Sequence, residues 1–146
     1  MRATALIFVA LTLLIVSTGK GQSVGPSDTF KARLSPVPIS IAMMPTIAGS
    51  GSLTATLSGK TLTIQGSFEG LRSPATTVQI HRGPKGIPGP AIAELSLTVT
   101  KAEKGSVNGT VELTPDQIAD LKGSRLYVQI QSERAPDGNL WGWLLK

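Results

Sequence analysis

Apolar and polar residues alternate with a period of two through most of the chain after residue 29. Residues 30–34, FKARL, place apolar side chains on one face and Lys31 and Arg33 on the other. Residues 52–57, SLTATL, alternate leucine and alanine with serine and threonine. Such alternation is typical of strands with one buried face. The pattern therefore predicts that the chain folds mainly as β-strands.

Glycine and proline interrupt this alternation at short intervals. The residues SGK, 58–60, form a predicted tight turn, so that 52–68 is expected to be a hairpin with Leu62, Ile64 and Phe68 directed inward. Further strands are predicted at 76–82, 91–99, 106–113, 125–132 and 139–145. This spacing predicts an all-β sandwich or barrel of about seven to nine short strands.

One segment, TPDQIADLKG at 114–123, has a helical pattern. Thr114 can cap the helix, Pro115 suits its first position, and Gln117 completes a capping box. Gly123 is a typical residue at a helix end. We expect a short helical connector between two strands.

The segment 83–91 consists of three consecutive triplets that each begin with glycine. A collagen triple helix needs many such triplets and three chains in register. Three triplets between two strands instead predict a loop, in which proline fixes φ and glycine supplies positive φ.

The N-terminus has the charged, apolar and small-residue order of a secretory signal peptide. After Arg2 come fourteen residues without a charge, ATALIFVALTLLIV, and then small polar residues. We predict a signal peptide over 1–23, a linker over 24–28 and one β domain over 29–146. Cleavage after Gly19 or Gly21 is also compatible with the pattern, and retention of the segment as a membrane anchor is the alternative.

The chain has no cysteine, so an exported form would hold together by core packing without disulfides. Loss of residues 1–23 would leave twelve basic and nine acidic residues, a formal charge of +3. The basic residues are scattered and no aromatic residues lie among them, which argues against a nucleic-acid partner. Without the leader, no segment is expected to insert stably in a membrane.

Several segments together resemble the CHRD domain, the module named after chordin. They are FKARLS, the hairpin GSGSLTATLSGKTLTIQGSFEGL, VQIHRGPKGIPGPAIAEL, and the closing block LTPDQIADLKGSRLYVQIQSERAPDGNLWGWL. The resemblance covers roughly residues 29–145. It implies an immunoglobulin-like antiparallel β-barrel or sandwich, distantly similar to copper/zinc superoxide dismutases, in an exported protein. It implies no general activity, and the growth-factor ligands associated with chordin do not carry over to a single small domain.

The sequence departs from this family where a metal site would be expected. The family's His-x-His is Gln79-Ile80-His81 here, and a third histidine in the Tyr-Val strand is replaced by Gln131. One imidazole with amide neighbours is a poor zinc or copper site. We therefore predict no metal and no cofactor. If the two strands are neighbours, Gln79, His81 and Gln131 are expected to form a polar hydrogen-bonding network.

No residues indicate catalysis. A Ser-His-acid triad would have to use His81, and nothing in the sequence singles out its serine. The carboxylates Asp116 and Asp120 are one helical turn apart in the predicted connector, where Asp116 favours the positive end of the helix. We predict no catalytic residues.

Both tryptophans lie in the last predicted strand, NLWGWLL, where Trp141 and Trp143 share one face. The resembling family has charged and polar residues on that face, which implies that it points outward. Two exposed tryptophans would form a contact surface for a protein, a saccharide or a second copy of the chain. The alternative is that the linker or a neighbouring loop covers them.

The sequence thus predicts an exported, non-catalytic module with a binding or structural role. A superoxide-dismutase-like metal protein with a degenerate site is the second interpretation, and a secreted hydrolase is the third.

Overall fold

The structure, a computed structural model, describes residues 25–36 and 40–146. The predicted signal peptide, residues 1–23, lies outside the described residues. Within them the chain forms eight strands, one α-helix and a short 3₁₀ helix. Their bounds are β1 Ser27–Leu34, 3₁₀ helix Ile41–Met43, β2 Ser50–Ser58, β3 Thr61–Glu69, β4 Ala75–Arg82, β5 Ala91–Val99, β6 Gly105–Glu112, α1 Pro115–Lys122, β7 Leu126–Ser132 and β8 Ala135–Trp143.

The predicted all-β fold is confirmed, and each predicted strand corresponds to an observed one. Most boundaries differ from the predictions by one or two residues, and two strand starts differ by more. β1 begins at Ser27, inside the predicted linker, because Ser27 and Asp28 continue the pairing with β2. β8 begins at Ala135, four residues before the predicted start at 139, because Ala135 already pairs with Ser132 of β7.

All neighbouring strands are antiparallel and form one curled sheet in the order β1-β2-β3-β6-β5-β4-β7-β8. Its two outermost strands approach each other. Lys31 and Leu145 exchange two backbone hydrogen bonds of 2.7 and 2.9 Å, and Ser35 and Trp141 exchange two of 3.0 Å. These bonds satisfy backbone groups that would otherwise be left at open sheet edges.

The inner face of the curled sheet is a continuous apolar core. The alternation read from the sequence places the side chains there, including the three inward residues predicted for β3. Among the most deeply buried members are Phe30, Leu34, Ala55, Leu62, Ile64, Ile80, Val107, Leu121, Leu126, Val128, Ile130, Leu140 and Leu144. Since burial of one large aliphatic side chain contributes about 1.5–3 kcal/mol, this core is the main source of stability in a chain without cysteine.

The helix α1 is the predicted connector. The Thr114 hydroxyl accepts a hydrogen bond from the Gln117 backbone N–H at 3.2 Å, and the Gln117 side chain accepts one from the Thr114 N–H at 2.9 Å. The N–H of Gly123 closes the last turn on Ala119. Leu121 anchors the helix in the core, and α1 is thus held at both ends and on one face.

Candidate functional site

The predicted site residues lie on the outer faces of β4, β7 and β8, which are adjacent in the sheet. The predicted parity holds, because Gln79 and His81 point away from the core side of β4. Two rows of paired residues cross the three strands. They are His81, Tyr127 and Trp143 in one row, and Gln79, Gln129 and Trp141 in the next. The structure therefore brings together four of the five predicted residues.

The first row is a stack of aromatic rings. The ring centroids of His81 and Tyr127 are 5.0 Å apart, and those of Tyr127 and Trp143 are 4.5 Å apart. His81 and Tyr127 are buried and Trp143 is half-buried. Stacked and tilted pairs at these separations are favourable beyond their area of contact. We call these three residues the aromatic row.

Each ring of the aromatic row is hydrogen-bonded to the backbone of the glycine-rich loop. His81 Nδ1 donates to the carbonyl of Gly89 at 3.0 Å. The Tyr127 hydroxyl donates to the same carbonyl at 2.9 Å and accepts from the Gly89 N–H at 2.8 Å. Trp143 Nε1 donates to the carbonyl of Gly83 at 3.0 Å. The row thus fastens both ends of the loop that joins β4 to β5.

The glycine triplets are explained by this attachment. A Cβ atom on Gly89 would lie 2.0 Å from the carbonyl oxygen of Arg82, and one on Gly83 would lie 2.4 Å from that of Ile87. Side chains cannot fit at these distances, so both positions need glycine. Gly86 has φ +83°, where glycine is favoured. The predicted loop is confirmed, and its repeat reflects two close backbone contacts and one turn.

The predicted network between Gln79 and Gln131 does not form. The two strands are neighbours, but the register pairs Gln79 with Gln129 and pairs Gln131 with Thr77, whose hydroxyl donates to the Gln131 side chain. Gln129, which was not among the predicted site residues, donates from Nε2 to the Asp137 carbonyl at 3.0 Å. Strand parity assigns a face to each residue, whereas pairing across the sheet depends on a register that one strand cannot show.

The tryptophans do not form the predicted open surface. Trp141 is 1% exposed. The irregular first half of β8 covers its ring, because Gly138, with φ +129°, lies so close that a Cβ atom there would be 2.3 Å from Trp141 Cζ2. Trp143 is half-buried and bonded to Gly83. The face points outward as predicted, but the first half of β8 covers Trp141 and the neighbouring 83–90 loop contacts Trp143, so the alternative of a covering loop applies to Trp143.

The surroundings of His81 are unsuited to acid–base chemistry. Nδ1 is bonded to Gly89, and Nε2 is buried without a hydrogen-bond partner in the described part of the chain. A general base must reach the proton that it removes, directly or through one water molecule. Among residues 25–36 and 40–146 no three His, Cys, Asp or Glu side chains are grouped so that they could hold a metal ion. The hydrogen bond of His81 therefore serves to position the loop between β4 and β5.

The loop also borders a shallow apolar pocket of about 430 Å³. Pro84, Pro88 and Pro90 line it, and the Arg82–Asp120 ion pair, with Nε and Oδ2 2.7 Å apart, connects the base of the loop to α1. Ile87 at the loop is 60% exposed. The aromatic row therefore positions the 83–90 loop, whose outer surface is apolar.

The environment of Tyr127 raises the pKa of its hydroxyl above the usual value near 10, because burial disfavours the phenolate, although the hydrogen bond with the Gly89 backbone opposes this shift. The unfolded chain therefore ionises at lower pH than the folded one. The stabilisation associated with the neutral hydroxyl is complete below about pH 10 and is lost as the pH rises through the pKa of the folded state.

Tyr127→Phe is expected to reduce the free energy of unfolding by about 1–3 kcal/mol at neutral pH, because the Gly89 N–H loses its partner. Above about pH 10 the difference between the two proteins should shrink, since the variant has no hydroxyl to ionise. Urea unfolding at several pH values measures both effects. Tyr127 is the only tyrosine, so the comparison isolates one group. Equal stabilities at neutral pH would contradict the proposed attachment.

The architecture and this site define a small β module that presents loops from a curled antiparallel sheet. The CHRD domain model matches residues 30–144, nearly all of the described chain, and the protein belongs to the CHRD domain family. The family consists of non-catalytic binding or structural modules that are typically extracellular. No curated protein and no solved structure shows significant similarity to the chain. Neither helix in the described part of the chain could span a membrane.

Proposed function

We propose that this protein is an exported, non-catalytic module that binds an extracellular partner. The proposal rests on the environment of His81, the single histidine of the chain. A triad or a metal site in this domain would need its imidazole, but its Nδ1 donates to the Gly89 carbonyl. Its Nε2 is enclosed among protein atoms.

Export accounts for the composition of the chain. The apolar segment 3–16 has the order of a signal peptide, and the domain contains no cysteine that would need protection or pairing outside the cell. A curled sheet whose outermost strands bond to each other also has little exposed edge for aggregation. These features are consistent with a module that works in dilute solution or at a cell surface.

The protein recovered outside the cytoplasm is expected to begin between Lys20 and Val24, because small residues precede each of the candidate cleavage points. N-terminal sequencing of that protein measures this directly. Intact Met1 in a membrane fraction would show that the apolar segment is an anchor. Zinc or copper retained in a one-to-one ratio after purification would instead favour a metal protein.

A further inference from the structure

The outer face of β1, β2, β3 and β6, the strands that carry no residue of the aromatic row, is polar. The outward positions of β1, β2, β3 and β6 form three successive rows across the four strands. The rows are Arg33, Ser52, Ser67 and Ser106; Lys31, Thr54, Gln65 and Asn108; and Thr29, Thr56, Thr63 and Thr110. We call this surface the hydroxyl face. It contains no aromatic, aliphatic or acidic residue in these three rows.

A groove of about 1080 Å³ lies at one end of the hydroxyl face. Lys31, Arg33 and Lys104 contribute cations to its walls, against one carboxylate, Glu69. Four cations elsewhere in the described chain are paired with acids, namely Lys60, Arg82, Lys122 and Lys146. Several exposed cations, such as Lys85 and Arg134, form no ion pair among the described residues either, so the groove is distinguished by the grouping of three cations around a single carboxylate. None of the three groove cations has an ion-pair partner among the described residues, so their charge is available to a ligand.

The hydroxyl side chains between these cations are suited to binding. Serine and threonine lose less side-chain entropy on immobilisation than lysine or glutamate, the usual residues of a solvated strand. Adjacent strands are about 4.8 Å apart, so one row extends about 14 Å across the four strands. Along a strand, successive outward positions are about 7 Å apart. The face is therefore a regular array of short donors and acceptors beside a positive groove.

This chemistry fits a linear anionic polysaccharide better than other anions. Exposed ionic contacts are each worth only about 0.2–1 kcal/mol, so useful affinity needs several of them together with hydroxyl contacts along an extended ligand. A single-stranded nucleic acid is usually held by aromatic side chains that stack on its bases, and the face has none. Duplex DNA, which is held by its phosphates, is a comparison in the test below. A lipid surface would need apolar side chains to insert, and none point outward in these rows.

We propose that the groove at Lys31, Arg33 and Lys104, with the adjoining hydroxyl face, binds carboxylated or sulfated polysaccharide chains. The proposal extends the binding role proposed above by naming the ligand class and the surface. The cations contact the carboxylate or sulfate groups, and the serine and threonine hydroxyls contact the sugar hydroxyls. The aromatic row, on another part of the sheet, takes no part in this contact.

The test is affinity electrophoresis of the purified protein in gels that contain polygalacturonate, dextran sulfate or neutral dextran. We expect retardation by at least one of the two charged polymers, weakened by added salt, and none by dextran. The charged polymer that retards the protein more identifies the preferred acid group, carboxylate or sulfate. Failure of both charged polymers would overturn the ligand class, whereas the mature N-terminus tests export independently.

The variant Lys31→Gln/Arg33→Gln should bind about tenfold more weakly, since it loses two exposed ionic contacts. The matched control is Lys85→Gln/Arg134→Gln, which removes the same charge from exposed positions away from the groove. It should bind like the unmodified protein. An equal loss in both double variants, or equal retardation by duplex DNA, would show nonspecific attraction of charge and would overturn the proposed site. Unchanged tryptophan emission verifies that each variant is folded.

Discussion

Trp141→Ala is expected to lower the free energy of unfolding by about 3–5 kcal/mol, the usual cost of removing a fully buried aromatic side chain. The ring is 1% exposed, and the segment of β8 around Gly138 packs over it. In a domain of this size the loss corresponds to a decrease in Tm of about 10–20 °C. Denaturant unfolding followed by circular dichroism gives the free energy, and a thermal scan gives the midpoint.

The matched control is the same substitution at the other tryptophan. Trp143 is only half-buried, so Trp143→Ala leaves a smaller cavity and should cost less, although it also releases the Gly83 carbonyl. If Trp141→Ala were as stable as the unmodified protein, Trp141 would be a surface residue and the contact-surface interpretation of both tryptophans would return.

Gly138→Ala is expected to destabilise the protein by about 4 kcal/mol, through backbone strain and overpacking together. At φ +129° an L-residue is strained, and the new Cβ atom would lie 2.3 Å from Trp141 Cζ2 and 2.8 Å from Gln129 Nε2. Both neighbours are buried, so neither can move without disturbing the strand pairing beneath. Denaturant unfolding measures the loss, and near-ultraviolet circular dichroism shows whether Trp141 has shifted.

Gly86→Ala separates the two causes. Gly86 also has positive φ, +83°, but a Cβ atom there would meet nothing within 4 Å. Gly86→Ala should lower the free energy of unfolding by only about 1 kcal/mol, because only the backbone conformation is unfavourable. If the two glycine variants were equally stable, the close contact between Gly138 and Trp141 would be wrong.

The strands, the capped helix and the loop could be predicted because each is encoded within a few neighbouring residues. Leu62 and Ile64 alternate with polar residues whatever lies beyond them, and the Thr114–Gln117 capping box closes within one turn. The three glycine triplets likewise excluded continuation of either flanking strand. The family resemblance was confirmed because these local features occur in a specific order.

Pairing between strands could not be predicted in this way. Gln79 was expected to meet Gln131, but the register placed Gln129 opposite it, and Tyr127 came between His81 and Trp143. A signal for Tyr127 existed, since it has the same parity as Gln129 in β7. Nothing in a single strand, however, shows which residues of its neighbour lie alongside it.

Three properties of this chain follow from its residues alone: which side chains face the core, where the strands are interrupted, and that one histidine and no cysteine are available for chemistry. The cover of the outer face depends on the folded chain: Gly138 packs over Trp141, and the 83–90 loop packs over His81 and Tyr127. Side-chain alternation is a local property of the backbone. Burial of an outward residue depends instead on loops brought to it by long-range pairing.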